Sequence, residues 1–516
     1  MQKNILYKID KNSYSILNLF LLSICGILLV LFLTPSGLYL SNDSVSYICT
    51  SRNILAGKGI MIANKSNILV PLPYFPPLVP MTFSLFGSLN NDLLYVARIL
   101  NAFCFGSTIF LVGFIVNKFS NSRILYLPAS LFILLSLHLV RIHTWLWSEP
   151  LFYIFMTSSF LSLAIYYDEK SLKAFYISAI CASLAFSIRY AGVMVVISNC
   201  LAIMLITTKK PSKRFKQSFL YGLIGVSFTF TWVIFSKYFQ TMHSGKKLIV
   251  DSSYLFNFES GLSVISEWFL PGRISFPIFG AILFLLFLII FFKQLYLNFK
   301  SPNKTNFITI ISGLYIISYI SFLLIINLYT LILFDPRIVS SLFIASIIFI
   351  FTIKSNNSQP LFNASSILIY IMLSILISYP IRILRHVKYA QNKNMSVLNK
   401  YKNNHKVLEE LDSLPNNSLI YTNIPGLFKL FTSKAVRQIP NKSMTIYAAD
   451  NKRILGETDE FLSSIRSKNV FIVYFEDIEF KETMYSEEYL RKHLNIDFIK
   501  SFDGVSIYKS RTNLPL

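Results

Sequence analysis

Long apolar runs recur along the first 380 residues of this 516-residue chain. A helix of about 20 apolar residues is long enough to cross the hydrocarbon core of a bilayer. Runs of spanning or near-spanning length lie at about 16–33, 92–116, 124–140, 149–167, 173–187, 191–207, 217–236, 276–293, 307–331, 338–353 and 361–379. Only 14% of all residues are charged, whereas soluble domains carry roughly 25%. The pattern excludes an ordinary soluble enzyme and a disordered chain, and it predicts an α-helical polytopic membrane protein with about eleven spans.

The basic residues are concentrated between these apolar runs. The formal net charge is +23, from 48 Lys and Arg against 25 Asp and Glu. A large positive charge can indicate nucleic-acid binding. Basic loops between spans are instead typical of the cytoplasmic side of a membrane protein, and they are attracted to anionic lipid. We therefore expect the lipid bilayer as a partner and no nucleic acid.

The position of the charges also predicts a topology. Lys3, Lys8 and Lys11 precede the first run, which places the N-terminus in the cytoplasm. With alternating loops, basic stretches such as the one holding Lys213 and Arg214 then lie inside, and the scarce acids lie outside. An odd number of spans puts the C-terminal segment on the extracytoplasmic side.

The composition changes near residue 381. Apolar runs shorten to strand length near 419–421, 470–475 and 505–508, and helix-like polar segments lie near 396–412, 457–466 and 486–494. Strands that alternate with helices are typical of an α/β domain. We predict a transmembrane domain over 1–380, with outer loops at 34–91 and 237–275, and a small soluble extracytoplasmic α/β domain over 381–516.

Carboxylates are rare in the first 380 residues, which hold ten: Asp10, Asp43, Asp92, Glu149, Asp168, Glu169, Asp251, Glu259, Glu267 and Asp335. Asp43 directly follows the first span. A carboxylate at a membrane interface can act as a general base towards a hydroxyl. An Asp before a helical stretch is equally a helix N-cap signal, so position alone leaves both interpretations open.

Motifs around these acids resemble those of GT-C membrane glycosyltransferases, especially the bacterial branch similar to protein O-mannosyltransferases and the lipid A aminoarabinose transferase. The matching segments, in chain order, are 42–47 (NDSVSY), 56–60 (AGKGI), 75–78 (FPPL), 147–152 (WSEPLF), 188–192 (IRYAG), 335–337 (DPR) and 420–425 (IYTNIP). The resemblance covers most of the chain. It implies a helical membrane enzyme of the bacterial plasma membrane that carries a soluble outer domain.

The resemblance also implies roles for individual residues. Asp43 would be the catalytic base, which deprotonates or orients an acceptor hydroxyl for attack on a polyprenyl-phosphate-linked sugar. Glu149 would be a second acidic position that helps to bind acceptor, donor or metal. Tyr47, Tyr74 and Pro77 would belong to the substrate loop. One base and a phosphate leaving group suit inversion, since a retaining route needs a second carboxylate as nucleophile.

Two arginines are candidates for the donor phosphate, because the planar guanidinium can donate two hydrogen bonds to it. These are Arg337 and Arg189; lipid headgroup pairing is the alternative for both. Lys246 and Lys247 are alternative phosphate contacts. No cofactor is expected with certainty: the five cysteines have no ligand spacing, and the oligosaccharyltransferase branch holds a divalent metal with a fuller acidic pattern. A divalent metal is left open.

Other functions predict different sequence features. A transporter or flippase of lipid-linked sugars predicts charges within spans or broken spans in corresponding halves. A polymerase or ligase of another fold favours a large outer loop between late spans. The four tryptophans, at 145, 147, 232 and 268, fit an interfacial belt better than sugar stacking, and His143 fits a structural role. The acceptor is a glycolipid, a polysaccharide or a protein.

Overall fold

The computed structural model describes residues 2–64, 68–72, 74–90, 92–122, 124–205, 210–239, 252–270, 276–301, 305–328, 334–354, 373–392, 397–402, 404–415, 418–432, 434, 436–441, 451–467, 469–476 and 484–511.

The first part of the chain is helical. Its helices are α1 (Gln2–Leu33), α2 (Asn42–Leu55), α3 (Leu78–Gly87), α4 (Leu93–Phe119), α5 (Tyr126–Leu134), α6 (Leu137–Thr144), α7 (Glu149–Glu169), α8 (Leu172–Ile188), α9 (Val193–Met204), α10 (Pro211–Phe239), α11 (Ser252–Glu267), α12 (Pro277–Lys300), α13 (Phe307–Asn327), α14 (Ser340–Phe351) and α15 (Ser378–Asn392). Between α2 and α3 lies an antiparallel pair of short strands, β1 (Met61–Ala63) and β2 (Leu69–Pro71).

Six of these helices are long and apolar enough to cross a membrane, and α5 with α6 forms a further apolar pair bent by 52°. Four shorter apolar helices accompany them, among them α8, α9 and α14. The predicted class, a polytopic helical membrane protein, is confirmed. The count of about eleven spans stays a prediction, and most of the predicted run 361–379 lies outside the described residues.

Helices in the membrane part meet through small residues and buried hydroxyls. A Cβ added at Gly106 of α4 would lie 2.8 Å from the Ser23 carbonyl oxygen of α1, so only glycine permits this close approach. In the bundle of α7 to α10, the Tyr221 hydroxyl lies 3.1 Å from Ser159 Oγ and 2.8 Å from Ser178 Oγ. Asn199 Nδ2 donates to that same hydroxyl over 2.7 Å. These bonds satisfy polar groups that lipid cannot solvate.

The C-terminal part contains a sheet flanked by helices. Its elements are α16 (Val397–Lys402), α17 (His405–Asp412), β3 (Leu419–Thr422), α18 (Pro425–Phe431), β4 (Val436–Gln438), α19 (Asn451–Ser467), β5 (Val470–Phe475), α20 (Glu487–His493), β6 (Ile496–Phe502) and β7 (Val505–Ser510). The strand order is β4-β3-β5-β7-β6. Strand β3 is parallel to β4 and β5, and β7 is antiparallel to β5 and β6.

The two faces of this sheet enter different cores, because successive side chains of a strand point to opposite faces. One face packs against α19 and α20 through Tyr421, Ile472 and Tyr508. The other face, with Phe471 and Val473, belongs to the same continuous core as the membrane helices. The predicted small α/β domain is confirmed as part of the fold class. The predicted boundary at 380/381 falls inside α15 and stays a prediction.

Candidate functional site

Four charged side chains from distant parts of the sequence meet at one end of the helical bundle. Asp43 lies in the first turn of α2, Glu149 begins α7, Arg189 follows α8, and Arg337 precedes α14. Arg337 Nη2 donates to Asp43 Oδ2 over 2.6 Å, and Arg337 Nε donates to Glu149 Oε1 over 2.5 Å. Arg189 Nη1 forms an ion pair with the same Glu149 oxygen. The sequence-predicted acids and arginines therefore form one chain of alternating charge.

The two carboxylates differ sharply in accessibility. The Glu149 side chain is 2% exposed, and both of its oxygens have hydrogen-bond partners, including Ser148 at 3.3 Å. The Asp43 side chain is 26% exposed and the Arg337 side chain is 23% exposed. A buried carboxylate that is bound on both oxygens has no free lone pair facing a substrate, whereas Asp43 and Arg337 present an anion and a cation to the outside of the bundle.

Arg337 also packs on an aromatic side chain that the sequence interpretation assigned to a belt. Its guanidinium carbon lies 4.3 Å from the centroid of the Trp147 ring, a cation–π geometry. Trp147 Nε1 donates to Ser41 Oγ over 3.0 Å, and its ring stacks on Trp145 at 4.9 Å. Trp147 thus connects Arg337 to the residue just before α2. Its position two residues before Glu149 was the one signal in the sequence that placed it here.

The backbone around Arg337 is fixed from both sides. Asp335 Oδ1 accepts from the backbone N–H of Ile338 over 2.8 Å. Burial raises the pKa of the Asp335 carboxyl above its usual value, and the backbone N–H of Ile338 and the Arg337 charge oppose that rise. Ser340 Oγ donates to the Arg337 carbonyl oxygen over 2.5 Å, and the Tyr153 hydroxyl bonds Ser340 Oγ. The guanidinium is therefore held on a rigid turn.

The predicted substrate-loop residues lie near Asp43 in different environments. Tyr47, one turn along α2, is 1% exposed and packs edge-on against Phe75 at 5.0 Å. Burial, with a contribution from the Asp43 charge, raises the pKa of Tyr47 well above its usual value, so its hydroxyl stays neutral. Pro77 is buried immediately before α3, and Tyr74 is 59% exposed. Lys246 and Lys247 lie outside the described residues.

Helix α2 begins after Ser41, so Ser41 occupies the N-cap position. The backbone N–H of Ser41 donates to Ser44 Oγ over 2.9 Å, and Ser44 Oγ donates to the Leu146 carbonyl oxygen over 2.8 Å. The Asp43 carboxylate is bound by Arg337, across the site, and not by the backbone of its own first turn. The N-cap alternative is not needed to explain Asp43.

The C-terminal part of the chain supports the segment that carries Asp43. Asn399 Oδ1 accepts from the backbone N–H of Leu40 over 2.9 Å, and Asn399 Nδ2 donates to the Leu38 carbonyl oxygen over 3.0 Å. At the other end of α2, Arg52 Nη1 donates to the Leu430 carbonyl oxygen over 2.9 Å. Both ends of the helix are thereby tied to residues about 360 positions away.

The site residues do not fit a divalent metal. Within the described ranges, no group of three or more His, Cys, Asp or Glu side chains is placed to hold a metal ion. The position between Asp43 and Glu149, where a cation would neutralise both carboxylates, is filled by the Arg337 guanidinium. Mg²⁺ and Ca²⁺ need several oxygen ligands, and here both Glu149 oxygens and Asp43 Oδ2 already accept from arginine.

Neither protein-family models nor curated proteins match this sequence. The comparison with solved structures defines the fold: this multi-pass helical membrane protein is similar in fold to ArnT from Cupriavidus metallidurans bound to undecaprenyl phosphate. The two chains share 12% identity, and the TM-score is 0.56. The match covers 96% of this chain and 98% of that one. The predicted resemblance is confirmed at the level of the fold.

Proposed function

We propose that this protein transfers a sugar from a polyprenyl-phosphate-linked donor to an acceptor hydroxyl on the outer face of a bacterial plasma membrane. The observation that carries the proposal is the accessible Asp43 carboxylate, held beside the Arg337 guanidinium at 2.6 Å. A base and a phosphate-binding cation are thus adjacent in one opening of the fold. The similar ArnT structure holds undecaprenyl phosphate, which supports a donor of this class.

Each charged residue has a distinct role in this proposal. Asp43 accepts the proton of the acceptor hydroxyl as its oxygen attacks the anomeric carbon. Arg337 stabilises the negative charge that develops on the leaving phosphate. Glu149 and Arg189 do not touch substrate: they hold Arg337 in place and balance its charge.

Burial of Glu149 supports inversion of the anomeric centre. A retaining reaction needs two reactive carboxyl groups, one of which attacks the sugar. Glu149 is 2% exposed and bound by two arginines, so it cannot approach an anomeric carbon. Asp43 is then the one reactive carboxylate of this cluster.

An apolar cavity beside the site suits the lipid part of the donor. The cavity has a volume of about 70 Å³, enough for a short segment of a hydrocarbon chain, and lies between α11, α12, α13 and α14. Leu342, Ser346 and Phe349 of α14 line it, and Arg337 lies just before that helix. A lipid whose phosphate binds Arg337 can therefore place its hydrocarbon chain along α14. The lining is almost wholly apolar, which matches a polyprenyl chain.

The test is the substitution Asp43→Asn, which keeps the size of the side chain and removes the base. We expect transfer to fall by about 10²–10⁴-fold, measured as undecaprenyl phosphate released from an undecaprenyl-phosphate-linked sugar pool in membranes, by mass spectrometry. Asp92→Asn is the matched control, because Asn can still cap α4 as Asp92 does. Wild-type turnover by the Asp43→Asn protein would disprove the role of Asp43.

A further inference from the structure

A second polar cluster lies where α6, α11 and α15 meet. His138 Nε2 of α6 is 3.6 Å from Glu267 Oε2 at the end of α11. Arg382 of α15 donates to the Glu267 carbonyl oxygen over 2.8 Å and to the Phe269 carbonyl oxygen over 3.4 Å. None of these side chains belongs to the Asp43 site. Helix α6 leads within a few residues to Glu149, so the cluster lies at the same end of the bundle as Asp43.

Several donors of this cluster have no acceptor. The Arg382 Nε and His138 Nδ1 atoms are buried without a hydrogen-bond partner. His386 is 8% exposed and Arg141 is exposed, and neither has a hydrogen bond or ion pair with any described residue. Buried donors are nearly always satisfied in folded proteins, by protein, water or a bound group. Arg382 Nε and His138 Nδ1, two buried nitrogen atoms without a partner among the described residues, therefore indicate an absent acceptor.

The charge of the cluster identifies that acceptor as an anion. Arg141 lies three residues after His138 on α6, and His386 lies four residues after Arg382 on α15, so each pair shares one face of its helix. Arg141 and Arg382 contribute two positive charges, and Glu267 contributes the one negative charge. Guanidinium and imidazole groups are suited to phosphate oxygens, which accept several hydrogen bonds at once.

The location of α15 indicates that the anion is carried by a lipid. Ile381 and Leu384 are exposed at the three-residue spacing of one helical face, and the exposed Ile377 directly precedes the helix. An apolar stripe beside cationic side chains is typical of a helix that lies in the membrane interface.

We propose that Arg141, Arg382, His138 and His386 form a second phosphate site, which binds the headgroup of an anionic membrane lipid. The site is separate from Arg337 and the donor phosphate, so it goes beyond the proposed sugar transfer. It gives the protein two places for phosphate-bearing lipids at one face of the membrane.

Native mass spectrometry of the full-length protein in detergent tests this proposal, with phosphatidic acid as the probe and phosphatidylcholine of the same chains as the comparison. We expect Arg141→Gln to weaken one phosphatidic acid adduct by about tenfold. The Arg141 side chain is exposed and makes no hydrogen bond with any described residue, so we expect its substitution to leave the fold intact. Arg385→Gln is the matched control, since Arg385 is an exposed cation on α15 outside the cluster. We expect it to change binding by less than about twofold.

Each outcome decides the proposal. Equal losses in Arg141→Gln and Arg385→Gln would mean diffuse attraction to anionic lipid and would overturn the site, as would no loss in either. Equal binding of phosphatidylcholine would also overturn it. Inorganic phosphate that displaces the lipid in an Arg141-dependent way would support a phosphate site that does not require the tail. The measurement needs no turnover, so failure of the proposed sugar transfer would leave this result unaffected.

Discussion

At the residue scale, the central feature is a guanidinium shared by two carboxylates. Arg337 bonds Asp43 through Nη2 and Glu149 through Nε, and its flat face rests on Trp147. A guanidinium can bind both carboxylates and stack on an aromatic ring because its N–H donors point in different directions within one flat plane. Asp43 and the buried Glu149 are thereby held at a fixed separation by one side chain.

The substitution Arg337→Lys tests whether the planar shape of the guanidinium matters in addition to its positive charge. A lysine ammonium keeps the positive charge but lacks the planar fork, so it cannot bridge both carboxylates and pack on Trp147. We expect the apparent KM for the polyprenyl-phosphate donor to rise about tenfold and kcat to fall, in steady-state assays of the purified protein. The control is Arg52→Lys, because the partners of Arg52 among the described residues are carbonyl oxygens of α18, which an ammonium can also reach. Unchanged donor KM in Arg337→Lys would contradict the phosphate role.

At the scale of single elements, the position of α2 decides the site. The sequence indicated Asp43 and Glu149 because carboxylates are so rare in the apolar part of the chain. The motif around Arg189 and Arg337 indicated the two cations. The sequence could not indicate Asn399, which binds the backbone beside α2 from about 360 positions away. Such a contact has no local periodicity or spacing and arises only from the tertiary fold.

Trp147 shows a second limit of sequence-based prediction. Tryptophan at the end of a span is typical of an interfacial belt, and the same residue type also serves as a cation–π partner. The two roles differ only in what lies opposite the ring. Arg337, 190 positions later, supplies that difference, so no local pattern could have separated the two interpretations.

The packing of α18 on α2 gives a prediction about Gly426. A Cβ added there would lie 2.8 Å from Val45 Cγ2, and Val45 is two residues from Asp43 on a helix that holds its β-branched side chain in one rotamer. We expect Gly426→Ala to destabilise the protein by about 1–3 kcal/mol and to lower kcat, because α2 must shift. Thermal unfolding in detergent and the transfer assay measure the two effects.

Gly456→Ala is the matched control for that prediction. Gly456 lies inside α19, and a Cβ there meets nothing within 4 Å. Alanine at an open helical position stabilises by about 0.5–1 kcal/mol relative to glycine. A melting temperature that rises for both variants would show that α18 does not press on α2.

At the scale of the whole molecule, the C-terminal sheet and the membrane helices are joined by a common core. Phe471 and Val473 of the central strand belong to the apolar cluster that continues into the membrane helices. Asn399 and Arg52 add polar contacts across the same boundary. The sheet therefore lies at the end of the bundle that carries Asp43.

The path of the chain fixes which parts lie at the opposite face. Arg189 pairs with Glu149, so α8 ends at the site. Helix α9 then runs away from the site, and α10 begins at the far end of the bundle with Lys213 and Arg214. Basic residues between spans are typical of the cytoplasmic side. The start of α10 is therefore expected in the cytoplasm, and the sheet is expected outside.

Cysteine labelling in a variant without the five native cysteines tests this orientation. Glu488 of α20 and Lys213 of α10 are both exposed, so Glu488→Cys and Lys213→Cys report the two faces. We expect a membrane-impermeant maleimide to label Glu488→Cys in intact cells and Lys213→Cys only after permeabilisation. The reverse pattern would place the Asp43 site in the cytoplasm and rule out transfer on the outer face. Labelling of both variants in intact cells would contradict the crossing of the membrane by α9.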